Sequence, residues 1–151
     1  MSIACINSNN AINFDLSLYQ PNINTYQTKD ITKDAYILNF WFPSCGPCAK
    51  ELPHIEKLNN EFGNEIEIIG IQMIGIDNIK DGLEFAQKLN LSYKLGYNPD
   101  NSTIKKYKIN SFPTTIFASK SNNNFIIWDG YIGYDDLLNN TKKILKGTND
   151  K

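Results

Sequence analysis

Arginine is absent from the 151 residues, and all 15 basic side chains are lysines. A phosphate or carboxylate site here would lack the planar guanidinium fork that such sites often use. The formal net charge is -1, so the overall balance shows no nucleic-acid footprint and no nucleic-acid partner is expected. Cysteine occurs three times, too few for a disulfide framework. Histidine occurs once, at His54. No run of about twenty apolar residues offers a membrane-spanning helix. Nor does a charged start lead into an apolar stretch, so no intact signal peptide is expected.

What remains is an ordinary globular composition. Hydrophobic residues make up 41% and charged residues 21%, in a length that suits one domain with a substantial core. We expect residues 1–11 to form a flexible segment, 12–147 a single domain, and 148–151 a tail.

Two cysteines stand close together in Cys45-Gly46-Pro47-Cys48. The apolar run Ala35 to Phe42 precedes them and a helical pattern from Pro47 to Phe62 follows. The pair therefore lies where a buried strand feeds the first turn of a helix. That turn leaves backbone N–H groups without intrahelical partners, and the helix dipole favours negative charge there. A thiolate at Cys45 is stabilised by such a position. Cys48 lies one turn further on, more buried, and near enough to close a disulfide. Pro47 suits the first helical turn, and Gly46 leaves room for another chain. The chemistry implied is thiol–disulfide exchange, with Cys45 attacking and Cys48 resolving. A zinc site would need two more ligands. Only Cys5 and His54 are on offer, and they form no second close pair. No metal is expected.

Along the rest of the chain, Ile12, Phe14, Leu16 and Leu18 alternate with polar residues, as in a strand with one buried face. Gln20-Pro21-Asn22 predicts a turn, and 23–29 a second strand closing a hairpin. Residues 35–42 read as a central strand buried on both faces, with Asn39 as its polar exception, satisfying buried backbone groups. Leu52, Ile55, Leu58 and Phe62 mark the inward stripe of the following helix, and Pro53 predicts a kink in it. A strand within 65–76, a helix over 79–89 with Leu83, Phe85, Ala86 and Leu89 inward, a short strand over 91–95 and a short helix over 102–107 follow. Strands at 116–118 and 125–128 form a hairpin, and 135–145 a terminal helix. The expected class is α/β, a mixed central sheet with helices on both faces.

The stretch Phe40-Trp41-Phe42-Pro43-Ser44-Cys45-Gly46-Pro47-Cys48-Ala49-Lys50-Glu51-Leu52-Pro53, taken with Ser111-Phe112-Pro113-Thr114-Thr115, resembles thioredoxin-fold proteins of the TlpA/ResA type. These are bacterial extracytoplasmic thiol–disulfide oxidoreductases. The likeness covers roughly residues 12–146, including the N-terminal hairpin and the strand–helix insertion near 79–95. It implies a thioredoxin-like three-layer fold, Cys45 as nucleophile, Cys48 as resolving thiol, and Pro113 in the cis form beside them. Glu51, one turn past Cys48, becomes a candidate proton carrier that also raises the thiol pKa values. Trp41, Ser44, Gly46, Pro47, Phe112 and Pro113 become candidate substrate contacts, with the backbone of Phe112 pairing an extended chain.

The implied partners are a protein disulfide substrate and an upstream thiol donor, with no organic cofactor and a monomeric protein. Reduction of disulfides outside the cytoplasm, as in cytochrome c maturation, is the implied role. Gly46-Pro47 matches thioredoxin, whose potential is about −270 mV, which leans towards a reductase. Two features depart from the pattern. Ser44 stands where members have an aromatic residue, and Asn39 where thioredoxin has a buried aspartate. Ile3-Ala4-Cys5 resembles the end of a lipoprotein signal, which makes Cys5 a candidate lipid-anchored residue. A peroxiredoxin-like peroxidase and a copper-delivery module on the same fold are the alternatives. The first usually needs an arginine that this chain lacks. The second needs wider cysteine spacing and a well-placed histidine.

Overall fold

The computed structural model describes residues 4–5, 12–19, 25–122 and 124–149. The elements are β1 (Ala4–Cys5), β2 (Asp15–Leu18), β3 (Tyr26–Gln27), β4 (Ala35–Trp41), α1 (Gly46–Phe62), β5 (Ile66–Gln72), α2 (Ile79–Lys88), β6 (Lys94–Tyr97), α3 (Ser102–Lys106), β7 (Thr114–Ser119), β8 (Phe125–Asp129) and α4 (Tyr134–Asn149). Among the described residues the strands form one sheet in the order β1-β8-β7-β4-β5-β6-β2-β3. β4 is central, parallel to β5 and antiparallel to β7. The sheet is therefore mixed.

Every residue of β4 is buried, as an apolar run with no alternation requires. Its pleat divides it between two cores. Ala35, Ile37 and Trp41 face α1, packing with Cys48, Leu52, Ile55 and Leu58, and with Ala86 of α2 and Leu137 of α4. Tyr36, Leu38 and Phe40 face the opposite layer, with Leu16, Tyr26 and Ile104 of α3. Helices thus cover both faces. Asn39 has the same parity as Ile37 and Trp41, so its side chain points towards α1.

Several elements differ from the sequence expectation. Ala4 and Cys5 pair antiparallel with Ile127 and Ile126, at a sheet edge where a loose segment was expected. The rest of the expected N-terminal segment lies outside the described residues, as does the expected turn at 20–22. The hairpin exists, but its second described strand is short. Tyr26–Gln27 gives way to a 3-10 turn at Thr28–Asp30. The strand expected at 91–95 is displaced to Lys94–Tyr97. Leu91 N–H instead donates to Ala86 O at the end of α2, and Ser92 N–H and Oγ–H bind the Glu56 carboxylate. In α2 the inward positions are Gly82, Phe85, Ala86 and Leu89, while Leu83 turns outward. α1 runs without a break through Pro53, whose ring sits on the exposed side of the helix. α4 extends to Asn149, into the range expected as a tail.

Candidate active site

The site is built at the end of β4. Cys45 N–H donates to Phe42 O at 3.1 Å, closing a tight turn over Phe42-Pro43-Ser44-Cys45. Cys45 then caps α1. Its backbone is extended, Pro47 occupies the first turn, and its sulfur accepts a 3.2 Å hydrogen bond from Cys48 N–H. The helix end thus directs an N–H at the sulfur, as the position of the motif predicted. A disulfide joins Cys45 and Cys48 with their Cα atoms 5.2 Å apart, within the usual span. Cys45 is 5% exposed and Cys48 0%, so the outer sulfur is the one a partner reaches.

Ser44, Gly46 and Pro47 are exposed around Cys45. A Cβ added at Gly46 would meet no atom within 4 Å, so the space above the motif is open. The Phe112–Pro113 peptide bond is cis. Pro113 is buried and Phe112 half-buried, with the Phe112 ring edge-on to Phe42 at 5.4 Å. Pro113 O accepts from Gly130 N–H at 2.8 Å, which ties this loop to the segment leaving β8.

Trp41 stands apart from this surface and corrects one expectation. It is 0% exposed, directed inward by the pleat of β4 and stacked on Phe85 of α2 at 6.0 Å. It packs beneath the site and offers no face to a substrate. His54 keeps to the surface, with Nε2 3.3 Å from Tyr131 Oη.

Glu51 is fully buried in α1, three residues past Cys48. Oε1 accepts from Asn39 Nδ2 at 2.7 Å and from Thr115 Oγ1 at 3.3 Å, and Oε2 accepts from Ile132 N–H at 2.9 Å. Burial pushes the carboxyl up from 4.5 to about 7, against the opposing pull of the Ile132, Asn39 and Thr115 bonds. A group so placed changes protonation near neutrality, the range useful for moving a thiol proton.

Asn39 corrects a second expectation. Its amide donates to Glu51 and Thr115 and not to the backbone, while its buried Oδ1 has no partner. Asn39 and Thr115 are register partners across β4 and β7, both aimed at α1. Thr115 and the Ile132 N–H were not foreseen as parts of the site. Asn39 was visible as the lone polar residue in an apolar run. Nothing in the chain signalled that Ile132 would return to it.

A mixed sheet with a strand–Cys-x-x-Cys–helix passage and a facing cis-proline loop defines a thioredoxin-like fold bearing a redox disulfide. The model of the AhpC/TSA family matches residues 8–127, and the chain belongs to that family. It is 27% identical over 114 residues to the thiol-disulfide oxidoreductase ResA of Oceanobacillus iheyensis, covering 75% of this chain and 58% of that protein. The chain spans little more than half the length of the curated relatives it matches. Among solved structures, a putative thioredoxin from Neisseria meningitidis superposes with a TM-score of 0.80 at 21% identity, covering 93% of each chain. StoA from Bacillus subtilis superposes at 0.71 and 18% identity, over 85% of this chain and 96% of that one.

Proposed function

We propose that the protein is a thiol–disulfide oxidoreductase that reduces disulfides of protein substrates. The observation that carries this reading is Cys45 at the α1 N-terminus, bonded to a more deeply buried Cys48 and facing the cis Phe112–Pro113 loop. In the dithiol form, the Cys45 thiolate attacks one sulfur of a substrate disulfide. A mixed disulfide forms and the second substrate sulfur leaves as a thiolate, which takes a proton. Cys48 then loses its proton to the Glu51 carboxylate and attacks the Cys45 sulfur. The Cys45–Cys48 disulfide forms and the first substrate sulfur leaves. Two electrons pass to the substrate, and an upstream thiol donor restores the dithiol.

Ser44, Gly46 and Pro47 form one side of the docking surface, and the half-buried Phe112, set in place by the cis bond to the buried Pro113, the other. Similarity to the ResA proteins supports a place outside the cytoplasm. Cys5 as a point of lipid attachment and a monomeric protein complete the proposal. Insulin reduction with dithiothreitol as donor tests the activity. The wild type is expected to precipitate insulin chains catalytically and C45S not to. Equal turnover by C45S would end this reading. Rapid peroxide consumption by the reduced protein, without insulin reduction, would favour the peroxidase alternative.

A further inference from the structure

The turn that presents Cys45 depends on a carboxylate from elsewhere in the chain. Within Phe42-Pro43-Ser44-Cys45, Pro43 has no N–H and Cys45 N–H is consumed inside the turn. Between Pro43 and Cys45, Ser44 N–H is the remaining backbone donor. Asp77 Oδ2 accepts it at 2.9 Å and accepts Ser44 Oγ–H at 2.7 Å. One carboxylate oxygen therefore holds both polar groups of the residue before the nucleophile.

Asp77 is itself held firmly. It lies in the loop between β5 and α2, and that loop is fastened on both sides. Met73 N–H donates to Trp41 O at 2.8 Å. The Asn101 side chain brackets Ile74, accepting from its N–H at 2.8 Å and donating to its O at 2.6 Å. On the far side, Gln72 Nε2 donates to Asn78 O at 2.9 Å, and Asn78 caps α2 through a reciprocal pair with Asp81. A carboxylate on so fixed a loop acts as a reference point, and the cysteine turn hangs from it.

We propose that Asp77 is a positioning residue for exchange at Cys45, acting through Ser44 as a hydrogen-bond acceptor. This rests on the oxidoreductase reading and deepens it. The family pattern places an aromatic ring before the first cysteine. Here a small hydroxyl residue stands there and is latched to the insertion loop. The latch fixes the Ser44 backbone, and with it the direction in which the Cys45 sulfur meets an incoming disulfide. Misplacement of a reacting atom by about 1 Å costs on the order of 100-fold in rate.

The test uses the reduced 151-residue protein, its D77A, D77N and S44A variants, and the S44A/D77A double variant. Insulin reduction is one readout. The other is iodoacetamide alkylation at pH 7, read on the Cys45-bearing peptide by mass spectrometry. D77A is expected to lose about tenfold to 100-fold in insulin reduction, and its Cys45 to alkylate more slowly. D77N keeps an acceptor oxygen and is expected to stay near wild type in both readouts. S44A, which loses one of two bonds, is expected to fall about threefold. In the D77A background the S44A effect should vanish, a coupling that general loosening of the loop would not produce.

D77A at wild-type rate overturns the proposal. So does D77N as slow as D77A, because charge and not the latch would then matter. So does a double variant whose losses multiply. If D77A does not fold, an S44A rate equal to wild type overturns it. If the wild type itself reduces no insulin, the oxidoreductase reading fails, and the Cys45 alkylation rates still decide the role of Asp77.

Discussion

At the residue scale, Glu51 is where chemistry and stability pull apart. Its carboxyl is raised from 4.5 to about 7, chiefly by burial. In the proposed role of acceptor for the Cys48 proton it must be ionised, so the rate of resolution should climb with pH through about 7. E51Q is expected to slow exchange and to lose that inflection. Stopped-flow measurement of turnover from pH 5 to 9 checks this, and an identical profile in the two proteins would remove Glu51 from the mechanism. Gln is accommodated because its oxygen can accept from Ile132 N–H while its amide donates to Asn39 Oδ1, the acceptor now without a partner. That needs only a half-turn of the Asn39 amide.

The element scale shows which parts of the molecule the chain announced. The two cysteines were legible because their meaning is local, a strand running into a helix start, while Pro113 was legible only through the resemblance that its motif carries. The Glu51 cradle was not, because it depends on register. Asn39 and Thr115 meet only through the β4–β7 pairing, and Ile132 arrives from 81 residues beyond Glu51. One position on the inward face of α2 was misplaced for a related reason, while Phe85, Ala86 and Leu89 lie inward as expected. Hydrophobicity pointed to Leu83, but the helix approaches the sheet through Gly82. A Cβ on Gly82 would collide with the Gln72 side chain and the Tyr19 hydroxyl. Close approach selected the smallest residue, which hydropathy does not register. G82A is therefore expected to destabilise the fold by about 1–3 kcal/mol. A lowered urea midpoint with unchanged slope is the measurement that checks it, and a midpoint equal to wild type would show that α2 shifts freely.

For the whole molecule, the raised Glu51 pKa sets a dependence of folding on pH. Between pH 4.5 and about 7 the folded state keeps a proton that the unfolded chain releases. The unfolded state then binds fewer protons, so this group's contribution to stability falls as pH rises through that window. Above the window the loss is complete, and it amounts to about 3 kcal/mol. Urea titrations of wild type and E51Q at pH 5 and pH 8 isolate the effect by difference. Relative to wild type, E51Q should gain stability on moving to pH 8 even as it loses turnover. A constant difference at the two pH values would show that Glu51 folds in without this penalty.

Gly46 carries a last consequence. Apart from its chain neighbours and its own helix backbone, no atom comes within 4 Å of where its side chain would begin, and its neighbour Cys45 keeps 5% of its surface exposed. An alanine there would leave the fold indifferent, since no internal neighbour exists to object. Only a visiting polypeptide would feel the extra methyl, so tolerance at this position is set by the guests the sulfur receives.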